Sequence, residues 1–564
     1  MNFVLAVSGL IVLCLLVGVF WAKITTNGYL RAGVLIVVLG LSLVHQLMFG
    51  TVAEDAYISF RYSENLAAGN GLVFNPGEHV EGYSNFLWVI LVALPKAWFG
   101  ADIVTTAAVL GILCTLGSVL VSYYLANKLA SRTGRESPAL GIVAAVFTAT
   151  ASGLAAYGPS GLETPLFLLL VLSAFLALAH RHCVVAGLLS GLAVMTRPDG
   201  LVVAGLVGVW LIAGAVRART WRALVGYAVG VLVLVVPWTV WRVSYYGHLL
   251  PNAVAAKSGA PLRWQLHMGW HYLVDFGIAH QGYLWLGLAA VVLLIAHRRT
   301  TSRADAPAVG IGWLMLAVAA CYAVFVGVTG GDWMPAWRML APVPPLIAIA
   351  AVAIFGLSRR SPEAAAEPLA LVKTRYLAAG AIALCTVPLV VSQYSPKMVP
   401  AMRSWAPKIA ENAEIGDWVK HTLPPGTTIA TFANGALSYE AGIGITVIDV
   451  LGLTDEHIAR NGIRDVKTVG LVGHIASDYQ YVTKVRKPAI ALDTGAAYLA
   501  RQDCSTPDAY ADDYDTATFR RTGTDGWVSV YVRRDLKKDI IARLSTDPRY
   551  TLTACATDST HETN

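Results

Sequence analysis

Glu54-Asp55-Ala56-Tyr57-Ile58-Ser59-Phe60-Arg61-Tyr62 follows closely on an apolar run that ends at Phe49-Gly50. Two adjacent carboxylates at the mouth of a membrane helix are costly to hold, and ionisable groups so placed point to function. A second reading is that Glu54 and Asp55 cap a helix starting near Ala56, where acidic side chains offset the helix dipole. Behind them runs Gly69-Asn70-Gly71-Leu72-Val73-Phe74-Asn75-Pro76-Gly77-Glu78-His79-Val80-Glu81-Gly82-Tyr83-Ser84-Asn85-Phe86, dense in turn-formers and polar groups. The piece 51–103 reads as an ordered external loop holding a reaction centre at a membrane surface.

Composition sets the class around that loop. Of 564 residues, 56% are hydrophobic and 14% charged, and the mean hydropathy is +0.58. Soluble domains carry roughly 25% charged residues, so the chain is a polytopic membrane protein. A formal charge of +7 could suggest nucleic acid, but the excess lies in short connections between apolar runs.

Twelve apolar runs are long enough to span or nearly so: 3–21, 31–49, 103–126, 140–157, 164–179, 184–195, 201–216, 224–245, 283–296, 309–328, 339–355 and 376–391. A span needs about 20 residues. The run 86–99 is short and is expected along the interface. The first run lacks a basic n-region and an Ala-x-Ala site, so it is expected to be a retained helix. Alternate connections carry Lys23 and Arg31; Lys128, Arg132 and Arg135; Arg181; Arg217, Arg219 and Arg222; Arg298, Arg299 and Arg303; Arg359, Arg360, Lys373 and Arg375. By the positive-inside rule these face the cytoplasm. The loop with Glu54 and Asp55, the connections 158–163, 196–200, 246–281 and 329–338, and everything after Ser392 then face outward.

The outward connections hold cations where the rule would leave few. Arg197 lies in Met195-Thr196-Arg197-Pro198-Asp199-Gly200, Lys257 closes Pro251-Asn252-Ala253-Val254-Ala255-Ala256-Lys257, and Arg338 closes Gly330-Gly331-Asp332-Trp333-Met334-Pro335-Ala336-Trp337-Arg338. Arginine offers a planar fork for phosphate and lysine a compact point charge. With Arg61 they are the candidates to hold the phosphate of a lipid-linked group; the alternative is that they bind lipid headgroups or snorkel. Tyr57, Asn75, Glu78, Glu81, Tyr83, Asn85 and Asp332, in the same outward loops, are the candidates for sugar or acceptor binding.

From Ser392 the texture changes. Charge rises, and strand-like runs at 427–432, 445–450, 489–492 and 527–532 alternate with helical patterns, 404–422 above all. Residues 392–564 read as a small external α/β domain after a membrane domain at 1–391. Cys504 and Cys555 are the only cysteines beyond the spans and could pair, whereas Cys14, Cys114, Cys183, Cys321 and Cys385 read as packing residues. His79, His248, His267, His271 and His280 have no metal-ligand spacing, and no Walker loop or dinucleotide fingerprint is present.

Three stretches, Glu54–Tyr62, the run from Gly69 to Trp88 and Thr196-Arg197-Pro198-Asp199-Gly200, resemble GT-C membrane glycosyltransferases. Within that fold the likeness is to bacterial arabinofuranosyltransferases of the cell-wall arabinan and pilin-modifying kind; Val450-Leu451-Gly452-Leu453-Thr454-Asp455 resembles part of their external domain. The resemblance implies a polyprenyl-phosphate donor, decaprenylphosphoryl-arabinose, inversion at the anomeric carbon and a catalytic acid in the first external loop. Many relatives carry Asp-Asp where this chain has Glu54-Asp55, so the base matches the second position, Asp55. An extra span before that loop departs from the commonest layout.

The chemistry of the residues fits. Transfer to a hydroxyl needs a base within hydrogen-bond reach, and a phosphate leaving group needs only cations around its developing charge. Glu54 could orient Asp55, bind a hydroxyl, or join it in holding a divalent ion such as Mg²⁺ or Mn²⁺. The acceptor is expected to be a cell-envelope polysaccharide or glycolipid. Mannosyl transfer from a polyprenyl-phosphate mannose is the alternative within this class. A transporter of a lipid-linked saccharide is the alternative outside it, although transporters place ionisable groups near the midplane of several spans.

Overall fold

The computed structural model describes residues 1–131, 138–298, 306–358, 368–465, 474–492 and 498–555. Arg132, Arg135, Arg299, Arg303, Arg359 and Arg360 lie outside them. Every one of the twelve apolar runs is helical. Among the described residues, eight stretches are long and apolar enough to cross a bilayer unaided. A pair bent by 87°, Leu262–Ala279 with Gln281–Ala296, and the short helices Pro138–Ala149, Thr164–Ala179 and Cys183–Thr196 account for the remaining runs. The chain is a multi-pass membrane protein.

Burial explains why some of these helices are short. Every residue of Pro138–Ala149 is buried, and so are most of Thr164–Ala179. A helix enclosed by protein need not match the lipid thickness, and one that is apolar all round belongs in the interior. Arg222–Tyr246 is the converse, with only Tyr227, Gly230, Arg242 and Tyr246 buried and its valines and leucines turned outward. It is held by close backbone approach. A Cβ on Gly187 would sit 2.1 Å from the Tyr227 carbonyl, the small-residue contact typical of membrane helices.

Outside the bundle stands a mixed sheet. Strands β1 (Thr428–Thr431), β2 (Thr446–Asp449), β5 (Ile490–Leu492), β6 (Tyr514–Arg521), β7 (Trp527–Arg533) and β8 (Tyr550–Thr553) run in the order β2-β1-β5-β7-β6-β8. The pairs β2-β1 and β1-β5 are parallel and the others antiparallel. β3 (Ile463–Arg464) and β4 (Ala476–Ser477) form a separate small ladder. The helix Val399–Thr422 covers the sheet, with Trp418 stacked on Tyr550 at 4.2 Å. Cys504 and Cys555 are joined in a disulfide, their Cα atoms 5.8 Å apart.

The segment from Glu54 to Asn85 is welded to this sheet. Asn75 accepts from the Val447 amide at 3.0 Å and donates to the Val447 carbonyl at 2.9 Å, standing in for a neighbouring strand on edge strand β2. Arg61 is fully buried. Its guanidinium donates to the carbonyls of Phe74, Gly442 and Ile445 at 2.9, 3.0 and 2.6 Å, and also to that of Ser438. Glu78 pairs with Arg486 at 2.7 Å, and Glu81 with Arg242 at 3.0 Å. Tyr57 packs edge-on against Phe60 and beside Tyr439. These five side chains sit at the seam between loop, bundle and sheet.

Candidate active site

The helix Glu54–Ala67 starts at the two carboxylates, so both lie in its first turn, where the dipole favours negative charge. The helix begins two residues earlier than expected, at Glu54, and its N-cap is Ala53, so neither carboxylate caps it by a side-chain hydrogen bond. Successive residues on a helix point in different directions, and here that separates the pair. Asp55 lines a cavity of about 380 Å³. Glu54 turns toward the α/β domain, where its Oε1 accepts from the Ala436 amide at 3.0 Å. A Cβ on Gly435 would come within 2.6 Å of that oxygen, so only glycine fits beneath it.

The cavity gathers three of the four candidate phosphate-binding cations. Asp55, Tyr83, Asn85, Arg197, Lys257, Asp332 and Arg338 all line it. Arg338 donates to Asp332 at 2.7 Å, and its Nη1 stands 3.9 Å from Asp55. The loop presenting Asp332 and Arg338 winds through left-handed backbone at Gly330 and Gly331, and again at Ala336 and Trp337 with φ of 58° and 48°. Non-glycine residues held there cost about 1–3 kcal/mol each and mark places where geometry matters more than comfort.

Arg197 is almost wholly enclosed. It makes a two-pronged contact with Asp199 at 3.0 and 2.8 Å and reaches Glu163 at 3.4 Å. Tyr322 donates its hydroxyl to the same Asp199 carboxylate. Glu163 accepts from Asn85 at 3.0 Å, and Asn85 is fixed in turn by Ser59. Lys257 differs. Among the described residues it has no carboxylate within ion-pair distance, so it is the one cation of the three whose charge is uncommitted.

A second cavity, about 350 Å³, lies on the other side of Asp55. Glu54, Asp55 and Ile58 form its wall toward the bundle, and Phe432, Ala433, Asn434, Gly435, Leu451 and Leu453 its wall toward the sheet. Those last residues follow the C-terminal ends of β1 and β2, the edge at which parallel strands commonly receive ligands. Trp333 and Trp405 stack at 5.1 Å along its rim, with Lys408 and Asn412 beside them. Two buried polar atoms here have no hydrogen-bond partner, Glu54 Oε2 and Trp333 Nε1. Burial lifts the Glu54 carboxyl to about 7, with the Ala436 amide opposing the rise and the Asp55 charge adding to it.

The described residues gather no group of three metal-ligating side chains. With only two carboxylates, one of them held by the Ala436 amide, and no third ligand among the described residues, the pair does not fit a protein-held divalent ion, so no step is derived through one. Arg61, Tyr57, Asn75, Glu78 and Glu81 line neither of the two cavities. Glu163, Asp199, Trp333, Trp405 and Asn434 were not singled out from the sequence. Asp199, two residues from Arg197 in a tight turn, is the one whose spacing carried a signal.

Two curated proteins, each named terminal beta-(1->2)-arabinofuranosyltransferase, are similar to this chain. The one from Corynebacterium glutamicum is 31% identical over 333 residues, 52% of this chain and 46% of that protein. The one from Mycobacterium tuberculosis is 29% identical over 336 residues, 53% and 51% respectively. The chain thus spans about half the length of the curated relatives it matches. A family profile described as a domain of unknown function, DUF8728, matches residues 402–531.

Among solved structures, ArnT from Cupriavidus metallidurans in the apo state superposes with a TM-score of 0.55 at 14% identity, covering 89% of this chain and 98% of that one. The same protein bound to undecaprenyl phosphate gives 0.53 at 15% identity over 90% and 98%. The apo oligosaccharyltransferase from Archaeoglobus fulgidus gives 0.53 at 12% identity, over 90% and 75%. The architecture is that of the GT-C membrane glycosyltransferases, a polytopic helical bundle followed by an α/β domain.

Proposed function

We propose that the chain is an inverting glycosyltransferase that moves D-arabinofuranose from decaprenylphosphoryl-arabinose to a cell-envelope glycan on the outer side of the membrane. The observation that carries the reading is the position of Asp55 between two cavities of different chemistry. The donor phosphate occupies the charged cavity, against the uncommitted Lys257 and beside Arg338. The acceptor occupies the aromatic one. Stacked indole rings suit the C–H faces of a sugar, and the unpartnered Glu54 Oε2 and Trp333 Nε1 are atoms that acceptor hydroxyls would satisfy.

In this reading Asp55 takes the proton of the acceptor hydroxyl as its oxygen bonds to the anomeric carbon. The bond from that carbon to the phosphate oxygen breaks, and polyprenyl phosphate leaves with its charge met by Lys257 and Arg338. A single displacement inverts the anomeric centre. The arabinose rests on the names of the two relatives, and the lipid phosphate is supported by the ArnT complex with undecaprenyl phosphate. The outward orientation rests on the lysine and arginine bias of the connections.

The test is purified protein incubated with radiolabelled polyprenyl-phosphate arabinose or mannose and a panel of envelope glycans. Transfer of arabinose with inverted configuration is expected. Transfer of mannose alone would overturn the sugar, and retention would overturn the single displacement. Orientation is checked in intact cells. A cysteine at position 77 should react with an impermeant thiol reagent, and one in the connection 298–303 should not; the reverse pattern would put Asp55 on the cytoplasmic side.

A further inference from the structure

Among the described residues, four line both cavities: Asp55, Ile58, Trp333 and Leu453. They mark the junction at which an acceptor hydroxyl would meet the anomeric carbon. Asp55 and Ile58 stand one turn apart on the helix Glu54–Ala67 and so share a face. Leu453 comes from the α/β domain, in the stretch Val450-Leu451-Gly452-Leu453-Thr454-Asp455 that follows β2.

The backbone of that stretch is fixed from three directions. From its own domain, the buried Asp449 accepts from the Leu451 and Thr454 amides at 2.9 and 3.0 Å. From the connection that carries Lys257, the Asn252 side-chain amide reaches the carbonyls of Gly452, Leu453 and Asp455 at 3.0, 3.1 and 3.2 Å. The third direction is Gly82, where a Cβ would come within 2.9 Å of the Leu453 carbonyl. Gly452 itself turns through left-handed backbone, φ 75°, and a Cβ there would lie 2.8 Å from the Ala459 amide. A leucine so anchored, 6% exposed, has its place at the junction set by both halves of the molecule.

The base that takes a proton from a sugar hydroxyl can take one from water. In that side reaction the water oxygen bonds to the anomeric carbon and its proton passes to Asp55. The bond from that carbon to the phosphate oxygen breaks, polyprenyl phosphate leaves, and the arabinose is lost as free sugar. Water is in excess over any glycan, and closing a site against it suppresses such hydrolysis. An aliphatic side chain closes it well because it offers water no hydrogen bond. Ile58 and Leu453 are the two aliphatic residues at the junction, one from the helix of the carboxylates and one from the α/β domain.

Resting on the function proposed above, we propose that Leu453 is a specificity-determining residue, which with Ile58 keeps water from the junction and directs the sugar to the acceptor hydroxyl. The test uses the full chain in lipid nanodiscs, with radiolabelled polyprenyl-phosphate arabinose and saturating acceptor glycan. Free sugar and glycan-bound sugar are counted in the same reaction. Leu453→Ala should raise the ratio of free to transferred sugar about tenfold, a modest change in the gap between two barriers. Leu453→Met keeps volume and apolar surface and should return the ratio most of the way to wild type. Leu544 is fully buried in the same domain and lines neither cavity, so Leu544→Ala should lower stability without moving the ratio. If Leu453→Ala does not fold, Leu453→Val should move the ratio in the same direction by less.

Both products falling together at an unchanged ratio would make Leu453 a packing residue and overturn the proposal. An equal rise of the ratio in Leu544→Ala would overturn it as well. If wild type consumes no lipid-linked sugar, neither product appears, and the function proposed above fails together with this inference. The two failures look different, since one leaves no product and the other leaves both in their original proportion.

Discussion

Asp55 separates two cavities of similar size, about 380 and 350 Å³, built from unlike parts. The first is made mainly by connections of the membrane bundle, with Leu453 and Ile475 of the α/β domain at its edge, and is crowded with ions, most of them already paired. The second is half made by the loops after β1 and β2 and is rimmed by stacked tryptophans. The difference teaches that the α/β domain is part of the site. Its loop at Gly435 and Ala436 holds Glu54, the neighbour of Asp55, and the buried Arg61 ties that loop to the helix on which both carboxylates stand.

The comparison breaks most visibly at its centre. Asp55→Asn should lower transfer by about 10²–10⁴-fold, the contribution of a positioned base. Its thermal midpoint in detergent should stay near that of wild type, because Asp55 keeps only a 3.9 Å contact with Arg338. Turnover close to normal in this variant would remove Asp55 from the chemistry.

The charged cavity sharpens into two kinds of cation. Arg197→Ala leaves Glu163 and Asp199 buried without their partner, so it should destabilise the fold by about 3–5 kcal/mol. Thermal unfolding measures this, and an unchanged midpoint would show that the cluster is not structural. Lys257→Ala breaks no ion pair and should leave the midpoint alone. It should weaken binding of polyprenyl phosphate about 10–100-fold, the range of one charge-assisted contact.

The smallest effect belongs to Glu54. Burial raises its carboxyl to about 7, so the folded protein holds that proton more tightly than the unfolded chain does. The stabilisation is full below the ordinary carboxylate range and is lost as pH rises through about 7. The midpoint of wild type should therefore fall relative to Glu54→Gln between about pH 5 and 8. A constant difference would mean that Glu54 is ionised throughout.

Much of this was legible in the sequence because hydropathy and charge are local quantities. The apolar runs became helices, β1, β2 and β5 fall within the expected strand runs, and β7 runs one residue past the expected end, to Arg533. Arg197, Lys257 and Arg338 meet in one cavity with Asp55. What was not legible depends on direction. Arg61 looks like a phosphate ligand by type, but a guanidinium is satisfied as well by backbone carbonyls, and three of the four that hold it come from the distant α/β domain. Strand β6, Tyr-Asp-Thr-Ala-Thr-Phe-Arg-Arg, is too polar to stand out as a strand. The helix Leu262–Ala279 was read as a loop because it interleaves apolar, charged and histidine residues in a pattern without one dominant face. Trp333 and Trp405 lie far apart in the chain and meet only through the fold.

The two-sided arrangement is tested most directly by measuring both substrates on two variants at once. For Lys257→Ala and Trp405→Ala, the dissociation constant for polyprenyl phosphate and the KM for acceptor are determined under the same conditions. The expected result is a crossed pattern. Lys257→Ala weakens the lipid phosphate and leaves acceptor KM near wild type, while Trp405→Ala raises acceptor KM several-fold, as loss of one aromatic stacking contact implies, and leaves the lipid phosphate unchanged. Both variants moving both constants, or each moving the other's, would contradict a donor cavity and an acceptor cavity meeting at Asp55.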